Sequence, residues 1–151
     1  MSNQPLNPME QQEKLSDITL EILETLPMGW TRLIVRGRIL GRYAERESGV
    51  KMPDGSVQGF SFPPTAWRKF QDLRDGMYAP GLGTWVEFEY VLDPPGRFVI
   101  DYNRDQLPRF SKKGPTSSDF ALENEWYPRT AEHMPEWFHH GLGTPSSEHL
   151  G

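Results

Sequence analysis

The sequence predicts one α+β domain, in which an antiparallel sheet of four or five strands carries helices on one face. Its 151 residues suffice for a single domain but not for two. Stretches with apolar residues at every second position alternate with stretches where they recur every three or four positions. The 5 Trp, 8 Phe and 5 Tyr supply bulky apolar material for a core. We expect the domain to span residues 9–140, between flexible tails at 1–8 and 141–151.

The first predicted helix runs from about residue 9 to 26, with an apolar face and acidic residues around the rest. Pro27 and Gly29 should end it. Its apolar face consists of Leu15, Ile18, Ile22 and Leu26.

A long strand is predicted after Trp30, because apolar and basic positions then alternate strictly. One face carries Leu33, Val35, Ile39 and Tyr43, and the other carries Arg32, Ile34, Arg36, Arg38, Leu40 and Arg42. The turn signal at 53–55 predicts a hairpin next, and a second amphipathic helix is expected at 65–75. Gly76 and Pro80 should close that helix.

The clearest strand signal is residues 84–93, followed by a turn and a partner strand at 97–103. We expect both helices to cover the face that carries Val86, Phe88, Tyr90, Phe98 and Ile100. Glu87 and Glu89 would then share the other, solvated face with the arginines of the first strand, so that the two charge sets neutralise each other.

The C-terminal part begins with an exposed loop at 103–118 and continues as an acidic, aromatic segment at 120–138. Pro128 and Pro135 divide that segment into two short predicted helices.

Charge is distributed unevenly along the chain, whose net charge is −5. Residues 1–29 hold five acids and one base, and residues 118–151 hold six acids and one base. The middle is mildly basic. Four arginines on one strand face could contact phosphates, but after Trp30 no aromatic stacking partner shares that face before Tyr43, so nucleic-acid binding is disfavoured. Because no long apolar run or basic leader occurs, we expect a cytoplasmic protein that does not enter a membrane.

The sequence offers few residues suited to catalysis or metal binding. The absence of Cys excludes disulfides, thiolate metal sites and a Cys nucleophile. All four His lie in the last nineteen positions, which suits a catalytic triad poorly. His133, Glu136 and His140 could share a helix face and bind zinc, but Pro135 interrupts the turn they need.

Two further ligand motifs are incomplete. The spacing of Asp101, Asn103 and Asp105 resembles a calcium loop, but Gln106 replaces the required glycine and Lys112 replaces the bidentate glutamate. The glycines at 81–83 lack the third glycine and the context of a dinucleotide motif. We therefore expect a protein that is not an enzyme and holds neither a cofactor nor a metal.

The acidic, aromatic segment has the composition of a protein interface, since rigid aromatic anchors alternate with charges. Packing of these aromatics over the sheet is the alternative. The residues we expect to contact a partner are Glu123, Glu125, Trp126, Arg129, Glu132, Glu136 and Trp137. The arginine face of the first strand is the other candidate interface.

Several short motifs, in this order, resemble the YezG-type immunity proteins of bacterial polymorphic toxin systems. They are Gly83-Thr84-Trp85, Pro95-Gly96-Arg97-Phe98, Asp101-Tyr102-Asn103, Glu125-Trp126-Tyr127-Pro128-Arg129 and Pro135-Glu136-Trp137. The resemblance covers roughly residues 15–138 and implies a small cytosolic α+β protein that binds and neutralises a toxin domain. Either a nuclease or an NAD-cleaving glycohydrolase would suit an acidic inhibitor, because both bind anionic substrates. It transfers no catalytic residue. A non-catalytic regulatory or adaptor module is the alternative, and a small hydrolytic enzyme a more distant one.

Overall fold

The computed structural model describes residues 5–143, in which four α-helices accompany one five-stranded antiparallel sheet. The N-terminal elements are α1 (Pro8–Leu23), β1 (Arg32–Leu40), β2 (Tyr43–Lys51), β3 (Val57–Gly59) and α2 (Pro64–Gly76). The C-terminal elements are β4 (Glu87–Asp93), β5 (Arg97–Asn103), α3 (Ser117–Trp126), a 3-10 helix (Ala131–His133) and α4 (Glu136–Leu142). The predicted fold class is confirmed.

The sheet has the strand order β3-β2-β1-β4-β5, and every neighbouring pair is antiparallel. β1 is therefore the central strand, hydrogen-bonded to β2 on one side and β4 on the other. The register places Arg36 between Glu47 and Glu89, and Arg38 between Glu45 and Glu87. Each of these arginines consequently has a carboxylate on both sides. The alternating charges predicted the carboxylates of β4 but not those of β2.

The main core lies between the sheet and the pair α1 and α2. Phe70 of α2 stacks on Phe88 of β4 with ring centroids 4.3 Å apart. The hydroxyls of Thr19 on α1 and Tyr90 on β4 share a 2.6 Å hydrogen bond, which satisfies both polar groups inside the core. Phe98 and Ile100 of β5 pack against the same core, so the face predicted for the helices is correct at these positions.

Val86 is the exception to that prediction. The backbone bends at Val86 and β4 begins only at Glu87, so the expected alternation does not extend over 84–93. Trp85 packs into the main core against Phe88, whereas Val86 joins a second, smaller core. Residues on either side of an irregular backbone need not keep the period-two relation of a strand.

The second core is built by the C-terminal helices against the end of β1. It consists of Leu40, Val86, Phe120 and Phe138. The tight turn between β1 and β2 approaches α3 closely: Gly41 has φ +59°, and a Cβ there would lie 2.2 Å from the Asp119 carbonyl oxygen. Only glycine permits both the left-handed backbone and this contact.

The ends of the domain differ from the predicted boundaries. Leu6 packs against the main core, and its amide donates to the Gly76 carbonyl at 2.8 Å. Asn7 caps α1 in a reciprocal arrangement with Glu10, which fixes the start of the helix at Pro8. At the other end, α4 reaches Leu142, inside the predicted tail. The remainder of both predicted tails, residues 1–4 and 144–151, lies outside the described residues.

Candidate partner-binding surface

The predicted partner-binding residues fall into two groups with different environments. Glu123 and Arg129 are buried, with 1% and 6% of their surface exposed. The exposed members are Glu125, Trp126, Glu132 and Glu136, and Trp137 is half-buried. Glu123 and Arg129 therefore cannot contact a partner directly, which corrects the prediction for these two residues.

Glu123 joins three elements in the interior. Its Oε1 accepts hydrogen bonds from the Gly41 amide at 2.8 Å and from the Arg74 guanidinium of α2. Arg74 also donates from Nε to the Trp85 carbonyl at 3.0 Å. The buried charge pair holds α3 against α2 and against the β1–β2 turn, so its role is structural.

Arg129 performs a similar task in the segment between α3 and α4. Its guanidinium donates to the Asp105 carboxylate at 3.0 Å, to the Arg104 carbonyl at 2.6 Å and to the His133 carbonyl at 3.2 Å. The same group lies 5.4 Å from the centroid of the Phe138 ring. A planar cation with several donors can serve all these partners together.

Trp137 is also held by the protein itself. Its indole N–H donates to the Asp105 carbonyl at 3.0 Å, and its ring meets Phe120 and Phe138 at centroid distances of 6.3 and 5.7 Å. Packing therefore uses much of this side chain, and Trp126, which is 42% exposed, is the better anchor for a partner.

Trp126 lines a groove between the end of α3 and the end of α2, which we call the aromatic groove. The groove encloses about 670 Å³. Its lining residues are Pro5, Asp75, Tyr78, Pro80, Glu125, Trp126 and Tyr127. The sequence placed Glu125 and Trp126 on a partner surface but did not reveal the contribution of Asp75 at the end of α2 and of Tyr78 after it. These residues reach the groove through the contacts of Arg74 with Glu123 and of Asp75 with Tyr127.

Hydrogen bonds hold two of the aromatic side chains of the groove, Tyr127 and Tyr78. The Tyr127 hydroxyl donates to the Asp75 carboxylate at 3.1 Å, and the Tyr78 hydroxyl donates to the Pro128 carbonyl at 3.2 Å. The two tyrosine rings have centroids 5.7 Å apart. Burial, chiefly, raises the pKa of Tyr127 to about 12, so its hydroxyl remains a donor at neutral pH.

The groove is negatively charged at its rim. Within the described residues, neither Asp75 nor Glu125 forms an ion pair with a basic side chain. Arg74 lies 5.0 Å from the Tyr127 ring, but its charge is directed inward to Glu123. The groove thus presents aromatic faces together with carboxylates that have no cation of their own.

The arginines on the sheet face of β1, in contrast to the carboxylates of the groove, are paired with opposite charges. Arg32 pairs with Asp93 and Arg36 with Glu89, each at 2.8 Å. The predicted neutralisation by β4 is confirmed at these contacts. The expectation of a solvated face is wrong at Arg38, Glu45 and Glu87, however, because these side chains are buried and the loop at Arg109 and Ser111 is bonded to them.

Glu45 is the most strongly stabilised carboxylate of this buried cluster. Burial acts to raise its pKa, but hydrogen bonds from the Tyr43 hydroxyl, from the Ser111 amide and hydroxyl, and from Arg38 outweigh burial and lower the pKa of Glu45 to about 2. The cluster therefore stays ionised and serves to attach the loop to the sheet.

No known family's sequence profile matches the chain, and no curated protein matches it significantly. In residues 5–143, no helix has the length and apolar character needed to cross a bilayer. The same part of the chain contains no group of three or more His, Asp or Glu side chains placed to hold a metal ion.

Proposed function

We propose that this protein is an immunity protein, which neutralises a cognate bacterial toxin domain by binding it directly in a stoichiometric complex. One observation carries the proposal: the C-terminal segment exposes Glu125, Trp126, Glu132 and Glu136 with no intramolecular ion pair described for the three acids. The resemblance of the sequence motifs to YezG-type immunity proteins supports the same function.

The chemistry of these side chains favours a basic partner. Nuclease and NAD-cleaving toxins both bind anionic substrates, and their clefts offer positive charge to an acidic inhibitor. An inhibitor of this kind needs surface complementarity and an aromatic anchor rather than catalytic groups. The exposed carboxylates of the C-terminal segment and the exposed Trp126 provide both features. The protein would act in the cytoplasm of the toxin-producing cell.

The proposal is tested by co-expression with a toxin domain encoded next to this gene. We expect the wild-type protein to restore growth and to co-purify with the toxin in a one-to-one complex. Reversal of Glu125, Glu132 and Glu136 to Lys should abolish protection, whereas Glu13→Lys on the exposed surface of α1 should leave it intact. Circular dichroism verifies that each variant is folded.

Absence of both protection and a complex with the folded wild-type protein would reject the proposed function. Protection by the triple variant equal to that of wild type would place the interface elsewhere, with the arginine face of β1 as the next surface to test.

A further inference from the structure

We propose that the aromatic groove receives an arginine or lysine side chain from an extended segment of the partner. This inference rests on the proposed function, because it names the contact by which a toxin would be held. The sequence alone gave no reason to connect the end of α2 with Trp126, so the groove is a feature of the folded chain.

The shape of the groove suits a long side chain. Its volume of about 670 Å³ lies within the range of roughly 300–1,000 Å³ that is typical of ligand sites. The aromatic rings of Trp126, Tyr127 and Tyr78 form its walls, so the methylene groups of arginine or lysine would pack against apolar surface. A cation over such rings is also attracted by their negative faces, most strongly by Trp.

The negative charge of the groove also favours an arginine or lysine side chain. Asp75 and Glu125 flank the rings, and within the described chain neither has a basic partner. A guanidinium or ammonium group would meet both carboxylates while its stem remained on the aromatic faces. An acidic or neutral side chain would leave these carboxylates uncompensated, so the groove discriminates by charge.

The groove is also prepared for binding before a partner arrives. Tyr127 positions Asp75 through its hydroxyl, and Tyr78 is held by the Pro128 carbonyl. Because these side chains are already ordered, a partner residue would cause little further loss of conformational freedom on the protein's side. A preformed site of this kind is expected to recognise even a short peptide.

The first experiment uses the full-length protein and a defined probe, the capped tripeptide acetyl-Pro-Arg-Pro-amide. Its matched control carries citrulline, which has nearly the same shape as arginine but no charge. The readout is the indole N–H resonance of Trp126 in ¹⁵N spectra, assigned with Trp126→Phe. We expect a saturable shift with the arginine peptide and binding weakened roughly tenfold or more with citrulline.

The second experiment uses variants that change the charge but not the shape. Asp75→Asn together with Glu125→Gln should abolish the preference for arginine, while Glu132→Gln, outside the groove, should preserve it. No shift at millimolar peptide, equal binding of the citrulline peptide, or an unaltered preference in the double variant would overturn the inference.

Binding and neutralisation of the toxin then test the inference about the groove separately from the proposed function. If wild-type protein neutralises the toxin and Trp126→Ala binds it equally tightly, the groove is not part of the interface and the inference is wrong, while the proposed function stands. If the peptide binds as expected but no toxin is neutralised, the groove is a cation site and its assignment to a toxin is wrong.

Discussion

Glu123 shows how one residue can look like an interface residue in the sequence and be structural in the fold. It lies in a run of alternating acids and aromatics, but its carboxylate is enclosed between Gly41 and Arg74. Arg74 is itself buried, with a side chain 4% exposed, so each charge depends on the other for compensation. Two residues further on, Glu125 is exposed and has no such partner.

Replacement of Glu123 by Ala should therefore destabilise the protein strongly. The change leaves the Nη2 group of Arg74 and the Gly41 amide without an acceptor and the buried guanidinium without a counter-charge. Removal of one member of a buried pair typically costs about 3–5 kcal/mol. Urea unfolding followed by circular dichroism measures the loss. The matched control, Glu125→Ala, should change the free energy of unfolding by less than about 0.5 kcal/mol. A loss below about 1 kcal/mol for Glu123→Ala would show that water solvates the pair.

At the scale of elements, the loop between β5 and α3 is attached to the sheet by polar contacts with buried carboxylates. The Ser111 amide and hydroxyl donate to Glu45 at 2.8 and 2.9 Å, and the Arg109 amide donates to Glu87 at 3.1 Å. Both acceptors belong to the cluster around Arg38. The loop and the charge cluster consequently depend on each other.

This dependence predicts a loss of stability in acid. The pKa of Glu45 is about 2 in the folded protein against 4.5 as the reference value, so the stabilisation by Glu45 is fully present above pH 4.5 and is lost as pH falls toward 2. The shift corresponds to at most about 3 kcal/mol. Urea unfolding of wild type and Glu45→Gln, compared from pH 6 to pH 2, measures it.

We expect the difference in the free energy of unfolding between wild type and Glu45→Gln to be largest near neutral pH and to shrink through this range. A difference independent of pH would mean that Glu45 has the same pKa in both states, contrary to the proposed contacts. Hydrogen exchange of the Ser111 amide should accelerate in the variant, because that amide loses a charged acceptor.

The elements that the sequence predicted correctly are those with a sustained period. The apolar faces of α1 and α2 and the alternation in β1 repeat often enough to specify a structure by themselves. The predicted continuation of the first strand to Tyr43 is wrong, because the chain turns at Gly41 and Tyr43 begins β2. The bend at Val86 was not predictable, because the alternation of residue types continues through it. Likewise, nothing near Glu45 in the chain reveals that Ser111 will cover it. The same limit applies to the aromatic groove, because Asp75 of α2 and Tyr78 and Pro80 after it are far from Trp126 in the chain.

For the whole molecule, the net charge of −5 conceals an ordered arrangement. The three arginines of β1 are paired with carboxylates of β2 and β4, so their fields largely cancel at a distance. Within residues 5–143, Glu132 and Glu136 of the C-terminal segment form no ion pair. Long-range attraction of a basic partner should therefore depend on this segment more than on the sheet.

The prediction at this scale concerns the rate of association with the toxin domain. Reversal of Glu132 and Glu136 to Lys changes the net charge from −5 to −1, since each substitution adds two positive charges. We expect association at low salt to slow by roughly tenfold and its salt dependence to weaken, with little change in dissociation, because rim charges act mainly by steering. Stopped-flow measurements at two ionic strengths test this.

The control variant, Glu13→Lys with Glu24→Lys, produces the same net charge through exposed positions of α1 and its C-terminal cap. Equal slowing in both double variants would attribute the steering to total charge and contradict the assignment to the C-terminal segment.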